Sequence, residues 1–155
     1  MNQKYADINE YQDYELMKDF NSLLQLNELG QTPYAYAYDA SGFTKDNKYT
    51  SIELKRRYVS VSTYTSLIIE GHKLLGLLTG FIYSQEIPLY INFMNDAVVV
   101  FNLSKLKTPP KLIEKKIKSQ LYQAYDVAER YELQMSDAWI YRKDGDRYRL
   151  IQRPS

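Results

Sequence analysis

The chain has 155 residues, of which 45% are apolar and 25% charged, with a net charge of +1 and no cysteine. That size and balance fit one globular domain, residues 1–155, able to bury a core; they exclude disulfide frameworks, thiol catalysis and cysteine–zinc sites and suit a reducing cytoplasm. The first residues lack the basic start and apolar core of a signal peptide, and the longest apolar run, Leu67 to Tyr83, is broken by Glu70, His72 and Lys73, so no membrane span is expected.

Residues 10–28 read as a helix, with Leu16, Phe20, Leu23 and Asn27 on one side, Leu24 widening the stripe and Gly30 as its stop. Tyr34 to Ala40 alternates tyrosine with alanine, the period of a strand. Ser41-Gly42 and Lys45 to Lys48 are turn material, and Tyr49 to Val61 is then the second strand of a hairpin. Ser66 to Ile69 fits a third short strand or the start of a helix. From Glu70 to Tyr83, Leu74, Leu75, Leu78 and Ile82 recur at the spacing of a buried helix. Ile87 to Phe93 and Ala97 to Leu103 flank Asn95-Asp96 as a hairpin. In residues 111–131, Ile113, Ile117, Leu121, Ala124 and Ala128 fit a helix that Pro109-Pro110 would start. The series Ile113, Ile117, Leu121, Tyr125 fits a strand too; the helix is the reading taken. Tyr131 to Tyr141 and Arg147 to Gln152 are strands joined through Asp144-Gly145.

The most informative segment is Glu53-Leu54-Lys55. Residues two apart on a strand share a face, so Glu53 and Lys55 point one way while Ile52 and Leu54 point into a core. A second carboxylate, Asp39, ends the preceding strand-like run. Two carboxylates beside a lysine suit a hard divalent ion and a water positioned or ionised by it, the needs of phosphodiester hydrolysis.

Asp39 followed by Glu53-Leu54-Lys55 resembles the core of the PD-(D/E)XK nucleases, the restriction-endonuclease-like superfamily of restriction enzymes, Holliday-junction resolvases and phage nucleases. The order of elements agrees: an acidic helix, the Asp strand, the E-x-K strand, then Tyr64 to Lys73 leading into an apolar helix. Tyr38 stands where the motif name places a proline. The resemblance implies an α/β fold with a mixed central β-sheet flanked by helices. It also implies a Mg²⁺ ion (Mn²⁺ as substitute) held by Asp39, Glu53 and the backbone carbonyl of Leu54, and Lys55 as the cation beside the attacking water. An acid on the first helix joins the metal shell in resolvase-like members; Glu10, Asp13, Glu15 and Asp19 compete for that role, and Glu15 is the choice made. A Lys at the position of Lys73 contacts the phosphate or the carboxylates in the family.

Other residues carry less chemistry. Asp46 rivals Asp39 but sits in a turn, where aspartate is common anyway. The single histidine, His72, cannot build a histidine-rich metal site. Arg57 shares the Glu53 face by alternation and is a candidate for phosphate contact. Residues 1–30 hold six acids against two lysines, whereas Lys105, Lys107, Lys111, Lys115, Lys116 and Lys118 meet Glu114 alone, so a local phosphate-binding surface is expected along this lysine run. No G-x-S-x-G, G-x-x-x-x-G-K-[ST] or G-x-G-x-x-G occurs, so serine-nucleophile, nucleotide-driven and dinucleotide chemistries have no support in the sequence. The expectation is a Mg²⁺-dependent endodeoxyribonuclease acting on DNA, structure-selective and of phage or mobile-element type, given a chain too short for a separate recognition domain. A homodimer would let it cut two strands. The rivals are a nuclease-fold protein that binds nucleic acid or a partner without cutting, and a Tyr-rich interaction domain in which E-x-K is coincidental.

Overall fold

The computed structural model describes residues 3–33, 38–116 and 127–155. Helix α1 (Gln3–Leu24) leads into strands β1 (Asn27–Gln31), β2 (Ala40–Phe43) and β3 (Tyr49–Arg56). Strand β4 (Ser66–Glu70) and helix α2 (Gly71–Ser84) follow, then β5 (Ile87–Phe93), β6 (Ala97–Asn102), β7 (Lys111–Lys116), β8 (Val127–Gln134), β9 (Trp139–Asp144) and β10 (Arg147–Gln152). The main sheet runs β1-β2-β3-β5-β6-β9-β10, and a smaller one runs β4-β8-β7. In the main sheet only β3 and β5 pair in parallel. A parallel pair needs a long crossover, and here residues 57–86 supply it, carrying β4 and α2. Among the described residues no helix is long and apolar enough to cross a membrane.

The sheet has an apolar cluster on each face. Met17 and Phe20 of α1 lie buried against Ile52, Leu54, Ile91, Phe93, Val98 and Val100. Phe20 meets Phe93, Tyr141 and Tyr148 edge-on, with ring centroids 6.4, 5.2 and 5.4 Å away, the arrangement that aromatic quadrupoles favour. On the other face Leu74 and Leu77 of α2 pack with Leu67, Ile69, Tyr90, Val99, Phe101 and Leu133. Glu53, one residue out of step with Ile52 and Leu54, therefore faces the α2 side.

Several boundaries differ from the sequence reading, each for a local reason. Helix α1 begins and ends earlier than residues 10–28, and Leu23 is 41% exposed. Its end is set by Gln25 in the left-handed region (φ 54°), not by Gly30, which lies in β1. Asn21 locks that end by donating to the Leu26 carbonyl (3.1 Å) and accepting from the Leu26 N–H (3.0 Å). Of the Tyr34–Ala40 strand, residues 34–37 lie outside the described residues, and Ala40 opens β2. Ser41-Gly42, read as a turn, pairs within β2 against Ser51 and Thr50. A Cβ on Gly42 would meet Leu26 Cβ at 3.0 Å, so the small residue permits close packing rather than a turn. Ser66 to Ile69 resolves as a strand. The buried residues of α2 are Leu74 and Leu77, while Leu75 and Ile82 are 68% and 69% exposed. The helix read across residues 111–131 is overturned where the structure describes it: 111–116 and 127–131 are strands, since β8 pairs with β4 on one side and β7 on the other. That pairing overrides a helical period. The run Tyr131 to Tyr141 is broken by a 3₁₀ turn, Met135–Asp137, where Asp137 accepts from the Thr108 N–H at 3.0 Å.

Phe20→Ala should lower stability by about 3–5 kcal/mol, seen as a cooperative loss in a denaturant titration. Leu23→Ala, three residues on but half in water, should change it by less than about 1 kcal/mol. Equal costs would mean that α1 docks in another rotation.

Candidate active site

The site begins where β2 stops pairing. Its last partner on β3 is Ala40 opposite Ile52, so the next outward-facing backbone groups of β3, those of Leu54, have no partner on β2. Asp39 fills part of that gap. Its N–H donates to the Ile52 carbonyl at 2.9 Å, and its Oδ2 accepts the Leu54 N–H at 2.9 Å. The Thr32 N–H donates to the Asp39 carbonyl at 2.9 Å, tying the loop down. Asp39 therefore precedes its strand rather than ending one, and the sheet edge itself holds its carboxylate beside the Leu54 peptide.

Glu53 and Lys55 stand on the α2 face of β3, level with Tyr90 and Asn92 of β5. With Asp13, Asp39, Arg57, Ile68, Glu70, Lys73 and Arg130 they line a cleft of about 360 Å³. Glu53 is 7% exposed. Its Oε1 meets Lys73 Nζ at 2.8 Å, while its buried Oε2 has no hydrogen-bond partner. Burial pushes this carboxyl up from 4.5 to about 8; the charge of Asp39 adds to the rise and Lys73 opposes it. On Lys73 burial acts downward, yet the charge and hydrogen bond of Glu53 outweigh it and hold the ammonium on. The cleft thus contains a carboxyl group whose ionised form one lysine does not satisfy.

The floor is rigid. Arg57, just past β3, donates from Nε to Asn92 Oδ1 (2.9 Å) and from Nη2 to the Ile68 carbonyl (2.6 Å) and Tyr90 Oη (3.0 Å). Tyr90 donates onward to the same Ile68 carbonyl at 2.9 Å. Burial raises the Tyr90 hydroxyl to about 12 against the opposing charge of Arg57, so it remains a donor. Arg130 reaches the cleft from β8, and its Nε is buried without a partner.

Asp39, Glu53, Leu54, Lys55, Arg57 and Lys73, all singled out from the sequence, line the same cleft. Glu15 does not: it faces Lys18 at 2.9 Å on the outer side of α1. Among the described side chains of α1, the acid that lines the cleft is Asp13, paired with Arg56 at 2.8 Å. Helical phase could have chosen it, since Asp13 stands four and seven residues before the buried Met17 and Phe20. Asp46 lies in the exposed turn before β3. His72 is exposed and faces Glu70 at 3.4 Å. Lys105, Lys107 and Lys111 do not line the cleft; Lys105 borders a separate hollow with Lys48 and Glu86 at the far end of α2. Lys115 and Lys116 belong to β7, with side chains outside the described residues, and Lys118 is outside them altogether. Tyr90, Asn92 and Arg130 were missed, although an asparagine inside the apolar run of β5 was a visible signal of a polar contact.

The donors present fit a hard divalent ion. Asp39 Oδ2 lies against the Leu54 peptide, whose carbonyl has no β2 partner, and the unmet Oε2 of Glu53 in the same cleft is what a cation would satisfy. Among the described residues no group of three His, Cys, Asp or Glu side chains is placed to hold a metal, so peptide oxygen and water would complete the shell.

No protein-family model matches the sequence, and no curated protein matches it. Among solved structures the chain is similar to Hjc, a Holliday junction resolvase from the archaeal hyperthermophile Archaeoglobus fulgidus, with a TM-score of 0.50 at 11% identity, covering 79% of this chain and 84% of that one. At that identity the likeness is one of fold. The chain has the restriction-endonuclease-like architecture that the Asp39 and E-x-K resemblance implied.

Because the folded protein keeps a proton on Glu53 that the unfolded chain releases above 4.5, stability in chelator should fall as pH rises from about 5 to about 8. Glu53→Gln removes this loss, so its melting temperature in EDTA should exceed that of the wild type increasingly across that range. Mg²⁺ added near pH 8 should raise the wild type and leave the variant unmoved.

Proposed function

We propose that the protein is a divalent-metal-dependent nuclease that hydrolyses phosphodiester bonds in DNA. The observation that carries the reading is Glu53 Oε2, a buried carboxylate oxygen without a hydrogen-bond partner, in a cleft shared with Asp39 and Lys55. The fold supports it: Hjc, which is similar in fold, is a Holliday junction resolvase. Asp39, Glu53 and the Leu54 carbonyl would hold Mg²⁺ or Mn²⁺. When bound, such an ion supplies Lewis-acid charge and a water of lowered pKa.

The remaining work belongs to the chain. Lys55, exposed and lining the cleft, would orient the attacking water and meet charge growing on the phosphate. Lys73 holds Glu53 Oε1 and leaves the buried Oε2 without a hydrogen-bond partner. Arg57 and Arg130 bring positive charge to a phosphate entering beside Glu53. Neither needs the lysine run of residues 105–118, whose described members do not line the cleft. With Arg57 already bound to Asn92, Ile68 and Tyr90, its fork is preorganised and loses little freedom on binding.

Glu53→Gln and Lys55→Ala should each lower Mg²⁺-dependent cleavage of a panel of single strands, duplexes, flaps and four-way junctions by about 100-fold or more. Binding of the same panel in Ca²⁺ should persist. A wild-type protein that binds the panel but never cuts it with Mg²⁺ or Mn²⁺ would instead be a nuclease-fold binding protein.

A further inference from the structure

A second hollow, of about 200 Å³, shares Arg57 with the cleft and is lined from the α1 face of the sheet by Leu16, Phe93 and Val98. Here the chain leaves β3 and crosses the β5–β6 turn, fastened by Arg57 N–H to the Phe93 carbonyl (2.9 Å), Asn95 N–H to the Val59 carbonyl (3.0 Å) and Val61 N–H to Asp96 Oδ1 (2.8 Å). Leu16, Met94 and Val98 give the hollow an apolar floor, and Arg56, Tyr58 and Lys143 stand around it. Among the described residues that line it, three are cations and none is a carboxylate. Arg57 lines both this hollow and the Glu53 cleft.

Tyr58 is 75% exposed, yet its ring is not left to itself. The Arg56 guanidinium lies 5.9 Å from the ring centroid, and its Nη1 donates to Tyr58 Oη at 3.2 Å. Arg56 is in turn held at 2.8 Å by Asp13, which lines the cleft. Its buried Nε has no partner. A posed aromatic face, an apolar floor and three cations, of which Arg56 is paired with Asp13, suit a ligand that is flat, apolar on its faces, polar at its edge and attached to a polyanion.

We propose that this hollow receives an unpaired nucleobase of the strand whose phosphate enters the Glu53 cleft, the base stacking on Tyr58 while Arg56 and Lys143 meet the backbone. A base inside a duplex has both faces covered and cannot enter without being unstacked. The preferred substrate is therefore DNA with a single-stranded or splayed nucleotide beside the cut. The inference rests on the nuclease reading for the direction of the strand, and on the hollow itself for the base.

The test uses the full chain in Ca²⁺, with a fluorescent adenine analogue stepped through a flap and through a blunt duplex. Tyr58 is solvent-exposed, so its variants should fold, which circular dichroism checks. The wild type should quench the analogue at one position next to the flap junction. Tyr58→Ala should abolish that quench and weaken flap binding about tenfold, while duplex affinity stays unchanged; Tyr58→Phe should retain both. A Tyr58→Ala protein that binds the flap like the wild type, or that loses duplex affinity equally, would overturn the inference. So would the absence of nucleic-acid binding. Tyr58-dependent quenching in a protein that never cuts with Mg²⁺ or Mn²⁺ would sustain the base site and remove the nuclease reading. Cleavage that depends on Glu53 but not on Tyr58 would do the reverse.

Discussion

The parallel pairing of β3 with β5 organises this molecule. Two parallel neighbours cannot be joined by a tight turn, so the chain must travel back along the sheet before β5 can begin. The return path carries β4 and α2, and it covers the face of β3 on which Glu53 stands. From that one constraint follow the burial of Glu53, the arrival of Lys73 at its Oε1, and the Ile68 carbonyl that anchors Arg57 and Tyr90. Strand β8 then pairs with β4 and adds Arg130. A hairpin between β3 and β5 would have left Glu53 on an open surface.

The second constraint is the short reach of β2. Pairing stops at Ile52, and the open edge of β3 would expose the Leu54 backbone. Asp39 answers a backbone need and a site need together: one carboxylate oxygen takes an orphan N–H, which fixes the group beside the Leu54 peptide and within the field of Glu53. Two carboxylates held near each other, one of them buried, are poorly matched in the absence of a cation. Neither Asp39 nor Glu53 adds to the apolar contacts of the core beside them.

The two faces of the sheet have different tasks. On the α1 face Met17 and Phe20 interlock with β-branched and aromatic residues of the sheet. On the α2 face the apolar cluster gives way to the polar network around Arg57 before the edge of the sheet is reached. Arg56 and Arg57, adjacent in sequence, divide between these environments: one is tied to α1 through Asp13, the other to β4 and β5.

Strand alternation by itself determined that Glu53 and Lys55 share a face and that Ile52 and Leu54 oppose them, because a period of two is a property of the extended backbone. The β5–β6 hairpin, the β9–β10 turn at Asp144-Gly145 and the existence of α2 were legible for similar local reasons, and so was the restriction-endonuclease-like fold through its motif order. Residues 111–116 and 127–131 were not, since their helical and extended periods are nearly equal and only the pairing of β7 with β8 and of β8 with β4 decides between them. The rotation of α1 was also undecided locally: four acids compete on its surface, and docking against β3 brings Asp13 to the cleft while Glu15 faces Lys18. Arg130 and Tyr90 lie far from Glu53 in the chain and join it only through strand order. Local periodicity specifies which way a side chain points, but which residues meet is set by the long-range pairing of strands, whose partners no short window contains.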